Sequence, residues 1–235
     1  MEKTSQLKNS VISALTDIIE NRSKETCGHI ERTEKYLKIL VNAITEHGIY
    51  INDLKELDLD ILYSAARLYD IGKIFIPESI LKKPDKLTQD EFEIMKTHTI
   101  KGERVIDQII SGVSGAPDKT NIDGTAEAAA KTGTFAVSGE AYSEFLRYAK
   151  LCAGYHHERW DGKGYPRRLD RLKIPIHGRI MAVIDVYDAL ISERPYKKPF
   201  TPEEAAKIII DSSGEMFDPL IADAFFESRQ KFVDA

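Results

Sequence analysis

Seven side chains of metal-ligating types in this 235-residue chain form a candidate set: Glu25, His29, Asp70, His98, His156, His157 and Asp185. Imidazole and carboxylate donors together suit iron, manganese, zinc and similar divalent ions. Carboxylates can also bridge neighbouring ions, which clamps the attacking and leaving oxygens of a phosphoryl displacement. Taken singly, each residue has an ordinary reading. Glu25 and His29 are four apart, so they share a helix face and would serve equally as a surface pair. His98 stands among Lys96, Thr97 and Thr99, where a lone histidine is usually structural or exposed. Asp185 and Asp188 interrupt an apolar run from Ile180 to Leu190, and a bare buried carboxylate is costly, so both need partners or a metal. The densest stretch is Tyr155–Pro166, where His156 and His157 run into a loop with the chain's one Trp and the sequence Gly164-Tyr165-Pro166. That punctuation marks a fixed turn rather than a helix interior.

Helices must deliver these residues. Apolar spacing predicts helices over Leu7–Asn21, over Glu25–His47 with Gly48 ending it, and over Leu54–Tyr69. Thr88-Gln89-Asp90-Glu91 is a capping box opening a helix that runs through Phe92 to Ile109 and contains His98. Glu140–Tyr155 returns to helical spacing and hands over His156 and His157. A further helix follows Ile174-Pro175-Ile176-His177 through Leu190. Thr201-Pro202-Glu203-Glu204 supplies an N-cap, an N1 proline and an acidic first turn, and a last helix follows Asp218-Pro219. No strand pattern competes. The expected fold is all-α, a single multi-helix domain over 24–235, with 1–23 as a helix or linker from an upstream domain. Residues 111–139, rich in Ser, Gly, Ala and Thr, read as a flexible insertion, with a helical turn or two at Ala126–Lys131.

Composition narrows the function. A net charge of −5 argues against a protein built to coat long nucleic acid. Between His157 and Lys198, however, ten Lys/Arg stand against six Asp/Glu, an excess that could receive a small anion. No apolar run approaches the roughly 20 residues of a membrane span. Met1 leads into the polar Glu2-Lys3-Thr4-Ser5-Gln6 without an apolar signal core, and two cysteines, Cys27 and Cys152, suit a reducing cytoplasm.

The ordered motifs go further. Asp70-Ile71-Gly72-Lys73-Ile74, Ile76-Pro77, Lys83-Pro84, Lys86-Leu87-Thr88, Met95-Lys96-Thr97-His98, His156-His157-Glu158-Arg159-Trp160-Asp161-Gly162, Gly164-Tyr165-Pro166, Asp185-Val186-Tyr187-Asp188-Ala189-Leu190 and Arg194-Pro195-Tyr196-Lys197 follow one another over residues 24 to 225. In this they resemble HD-GYP domains, a branch of the HD superfamily of metal-dependent phosphohydrolases. The resemblance implies an HD-type helical domain that hydrolyses cyclic di-GMP to pGpG or GMP in bacterial signalling, often beside a receiver or sensor domain. It implies that Glu25, His29, Asp70, His98, His156, His157 and Asp185 ligate two or three divalent ions such as iron or manganese, with Asp70 bridging. Lys73 would sit beside the scissile phosphate. Arg194 and Lys197 would hold ligand phosphates, and Gly164, Tyr165 and Pro166 would shape the nucleotide pocket. The family's signature pair is His-Asp, whereas this chain has Tyr69-Asp70. That substitution removes one expected ligand and implies one weakened or empty metal position. The alternative it raises is a domain that binds cyclic di-GMP, metal or a partner protein without efficient hydrolysis.

Overall fold

A computed structural model describes residues 2–23, 28–114, 140–193 and 198–235. Among these residues there is no strand, and eleven α-helices carry the fold. They are α1 (Glu2–Ser23), α2 (His29–Glu46), α3 (Ile51–Lys55), α4 (Leu59–Ala66), α5 (Glu78–Leu81), α6 (Gln89–Lys96), α7 (His98–Ser114), α8 (Glu140–Tyr155), α9 (Ile176–Ile191), α10 (Pro202–Asp211) and α11 (Pro219–Val233). A 3₁₀ segment, Ile71–Phe75, follows α4. The all-α expectation holds.

Two predicted helices are each broken into two, at a residue with a competing side-chain bond. The expected Leu54–Tyr69 helix is α3 and α4, because the Asp58 carboxylate accepts from the Ile61 N–H at 3.1 Å and starts α4 afresh. It also stops at Ala66, so Tyr69 and Asp70 lie in the turn beyond it. The helix expected to run from Phe92 to Ile109 breaks at Thr97, whose hydroxyl donates to the Ile94 carbonyl at 2.6 Å. His98 therefore opens α7 instead of lying within a longer helix. The Thr88–Glu91 capping box is present, as is a second one at Thr201–Glu204. Helix α7 continues to Ser114, past the expected start of the insertion. Residues 115–139, the Ala126–Lys131 turn among them, lie outside the described residues.

Helices α2, α4, α8, α9, α10 and α11 surround the core. Leu37, Leu40, Val41 and Ile44 of α2 are buried against Val183, Ile184 and Tyr187 of α9. Tyr36, Tyr187, Phe225 and Phe232 interlock with neighbouring ring centroids 4.8–5.4 Å apart, the offset geometry aromatic rings prefer. The start of α9 is pinned to the start of α11 by a buried ion pair, Arg179 Nη1 to Asp218 Oδ2 at 2.7 Å. Helix α1 lies over the 3₁₀ segment and fastens two neighbours through its last turn. Glu20 Oε1 accepts from the Ile30 N–H of α2 at 2.8 Å, and Arg22 Nη2 donates to the Ile76 carbonyl at 3.2 Å.

Candidate metal centre

Five chain segments converge at one end of the core. His29 opens α2, Tyr69 and Asp70 follow α4, and His98 opens α7. His156 and His157 follow α8, and Asp185 lies in the second half of α9. The approach of Asp70 to His98 depends on Gly72. A Cβ there would sit 1.8 Å from the His98 carbonyl oxygen and 2.6 Å from the Gly102 nitrogen, so any side chain would force the 3₁₀ segment off α7.

Six of the expected ligands are brought together in two groups whose donor atoms lie within 4.8 Å of one another: His98, His156 and His157, and His29, Asp70 and Asp185. Glu25, Arg194 and Lys197 lie outside the described residues.

In the first group the tautomers are set by backbone carbonyls. His98 Nδ1 donates to the Met95 carbonyl at 2.8 Å, and His156 Nδ1 donates to the Cys152 carbonyl at 2.9 Å. With Nδ1 committed to a carbonyl, each ring turns Nε2 towards the site, which is how second-shell carbonyls prepare metal-ligating histidines. These two Nε2 atoms face each other at 3.3 Å and lie 3.5 and 3.7 Å from Asp70 Oδ1. Two imidazole nitrogens and a carboxylate oxygen converging in a buried space need a proton or a cation among them. Asp70 is itself 3% exposed, and its Oδ1 has no hydrogen-bond partner among the described residues. Lys73 Nζ lies 2.7 Å from its Oδ2. The donor set fits a divalent ion.

The electrostatics follow from burial. Burial works to raise the Asp70 carboxyl, but Lys73 and the imidazoles of His98 and His156 outweigh it and hold the group ionised far below the ordinary carboxylate range. Burial, with Lys73 and the neighbouring imidazole adding to it, pushes His98 down to about 4. Burial and the two adjacent rings likewise push His157 well below its ordinary value. Burial and the charge of Asp70 raise Asp185. The lowered imidazoles of His98 and His157 beside an ionised Asp70 match the protonation state that metal binding requires.

The second group is arranged differently. Tyr69, 1% exposed, places its hydroxyl 2.6 Å from His29 Nε2 and donates to Asp185 Oδ1 at 3.1 Å. On its other side, His29 Nδ1 donates to Asp188 Oδ2 at 2.6 Å. Asp188 is held in turn by Arg32 Nε at 2.8 Å and by the Ser192 hydroxyl at 3.1 Å. The sequence marked Asp188 as a carboxylate in need of a partner; Arg32, one turn beyond His29, carried no signal of its own.

Beside the centre lies a cavity of about 550 Å³ walled by His156, His157, the Gly164-Tyr165-Pro166 loop and helix α6. Tyr165 lies against His157, ring centroids 4.7 Å apart, and edge-on to Phe92 at 6.2 Å. Lys96 Nζ stands 5.4 Å from the Phe92 ring centre and 5.9 Å from that of Tyr165. Arg159, Lys163 and Arg168 line the same cavity, making its mouth cationic. The loop is fixed from within by Glu158, which accepts from the N–H groups of Arg167 at 2.7 Å and Leu169 at 2.9 Å. Gly164 is needed at its crossing, since a Cβ would meet the Arg159 nitrogen at 2.3 Å. Glu158 escaped notice in the sequence, where only its adjacency to the histidine pair could have drawn attention.

The HD domain family model matches residues 13–116 and 140–221. The chain belongs to the HD domain family, in its HD-GYP branch. This HD-GYP domain is 39% identical over 226 residues to a cyclic di-GMP phosphodiesterase of Vibrio cholerae, which covers 96% of the chain and 40% of the relative. It is 34% identical over 224 residues to a cyclic di-GMP phosphodiesterase of Thermotoga maritima, covering 95% and 50%. It is also 30% identical over 228 residues to a 3'3'-cGAMP-specific phosphodiesterase of Vibrio cholerae, covering 97% and 36%. The chain thus spans half or less of the length of these relatives. No helix among the described residues is long and apolar enough to cross a membrane.

Proposed function

We propose that this HD-GYP domain is a metal-dependent phosphodiesterase that opens the ring of cyclic di-GMP, giving pGpG, GMP or both, in the bacterial cytoplasm. The observation that carries the reading is the pair of imidazole Nε2 atoms meeting beside the buried Asp70, where His156 also lines a cavity of basic and aromatic side chains. His98, His156, His157 and Asp70 would hold a divalent ion, iron, manganese or similar. By the family resemblance His29, Asp185 and Glu25 would complete a centre of two or three positions that shares Asp70. A divalent ion there would lower the pKa of a bound water and act as a Lewis acid on the phosphate.

The chain's own groups do the rest. Lys73, 2.7 Å from Asp70, is the fixed cation beside the scissile phosphate and stabilises charge that develops on it. The Gly164-Tyr165 turn and Phe92 bound the nucleotide, and Lys96, Arg159, Lys163 and Arg168 counter its phosphates. Arg194 and Lys197 join them as phosphate contacts by resemblance. The regulatory input would come from an upstream receiver or sensor domain, or from a partner signalling protein. A second reading, binding of cyclic di-GMP, metal or a partner without efficient turnover, is favoured by Tyr69, whose hydroxyl occupies the His29–Asp185 side of the centre.

The test is to load purified protein with Mn²⁺ or Fe²⁺ and to measure binding and hydrolysis of cyclic di-GMP and 3'3'-cGAMP, for wild type and Tyr69→His. Hydrolysis of cyclic di-GMP by the wild type supports the first reading. Binding without hydrolysis, with turnover gained in Tyr69→His, selects the second. Failure of both proteins to bind either nucleotide removes both.

A further inference from the structure

The two donor groups differ in what occupies their lone pairs. In the His98–His156–His157 group, the Nδ1 protons of His98 and His156 go to backbone carbonyls, and their Nε2 atoms face each other at 3.3 Å with, among the described residues, no other side chain's oxygen bonded to them but the flanking Asp70. In the His29–Asp70–Asp185 group, two of the three donor atoms are engaged with one phenol. His29 Nε2 shares a hydrogen bond with the Tyr69 hydroxyl at 2.6 Å, and Asp185 Oδ1 receives one from it at 3.1 Å. The far side of His29 is tied to Asp188 at 2.6 Å, and Asp188 to Arg32 at 2.8 Å. The result is a continuous buried chain of hydrogen bonds, Arg32–Asp188–His29–Tyr69–Asp185. A cation entering this group would have to expel the phenol from His29 and Asp185.

We infer that the hydroxyl of Tyr69 takes the place of one metal ion, so that this domain holds a single ion, on His98, His156, His157 and Asp70. Tyr69 is then a positioning residue: it ties His29 and Asp185 to each other as a bridging cation would, without supplying a Lewis acid. The shared member is Asp70, whose Oδ1 faces the Nε2 atoms of His98 and His156 and whose Oδ2 faces Lys73. The inference rests on the metal reading above, but it concerns the number of ions and not the rate of hydrolysis.

The experiment is metal content per chain, by elemental analysis of protein loaded with Mn²⁺ or Fe²⁺ and freed of excess. The expected results are one ion in wild type and two in Tyr69→His. Asp185→Asn should keep the ion, and His156→Ala should lose it. Tyr69→Phe, which removes only the oxygen, should keep one ion and serves where Tyr69→His fails to fold. Two ions in wild type overturn the inference, as does loss of the ion in Asp185→Asn or none in wild type. So does a visible phenolate-to-iron absorption band in the iron-loaded wild type that disappears in Tyr69→Phe. One ion with no hydrolysis upholds the count and removes the phosphodiesterase reading, whereas two ions with hydrolysis do the reverse.

Discussion

His177 offers a quantitative test of the packing away from the metal centre. It lies in the first turn of α9, 5% exposed, with its ring 5.0 Å from that of Tyr148. Neither ring nitrogen has a hydrogen-bond partner among the described residues. Burial first, then the nearby guanidiniums of Arg147 and Arg179, push it down to about 4. The unfolded chain therefore takes up a proton at higher pH than the folded one. Stability from this group is complete above the unfolded value near ~6.5, falls as the pH drops below it, and reaches its full loss below about 4. At about 1.36 kcal/mol per unit, the drop from pH 7 to pH 5 comes to roughly 2 kcal/mol for this one residue. The assay is urea unfolding of wild type and His177→Leu at both pH values. Other titrating groups are common to both proteins and cancel in the comparison. The gap in stability should shift by roughly 2 kcal/mol in favour of His177→Leu at the lower pH. Parallel pH profiles would refute the reasoning, because they would mean that His177 is charged or solvated in the folded state.

Three further outcomes follow from the packing. Arg179→Met leaves Asp218 buried without its cation, so unfolding free energy should fall by about 3–5 kcal/mol, measured by denaturant titration; a loss under about 1 kcal/mol would mean the pair is solvated. Gly72→Ala should drive the 3₁₀ segment away from α7 and lower metal content by more than tenfold, read by elemental analysis; normal metal content would show that the contact yields without moving Asp70. Phe92→Ala should weaken cyclic di-GMP binding by roughly tenfold, the scale of one base stacked on an aromatic ring, with metal content unchanged; unaltered affinity in calorimetry would take Phe92 out of the nucleotide site.

Helical periodicity, caps and turn residues were enough to read the all-α fold and most helix positions. What they could not show was where a side chain outcompetes the backbone. Thr97 and Asp58 each bond to a neighbouring main-chain group and break a helix whose apolar spacing runs on without interruption. The convergence of His29, Asp70, His98, His156, His157 and Asp185 was expected from ordered motifs rather than from spacing, since the segments that meet are remote in the chain. The place of Tyr69 was harder to read. Sequence presented it as a missing ligand, whereas its hydroxyl bonds to two members of the set, which depends on a side-chain length and direction that no pattern encodes. Asp188 was recognisable as a carboxylate in need of a partner, but Arg32 as that partner came only with the packing of α2 against α9.

Asp185 and Asp188 stand three apart on one face of α9, one meeting Tyr69 and the other meeting His29 and Arg32. This couples the second half of α9 to the starts of the two segments it closes. Asp188 lies in the last turn of α9 and Asp185 about one turn further in, so unwinding two turns of the helix end would release both carboxylates. The slowest exchanging amides of those two turns would then report the same free energy as exposure of the tyrosine, so the lifetime of this side of the centre is set by a helix end rather than by any one of its ligands.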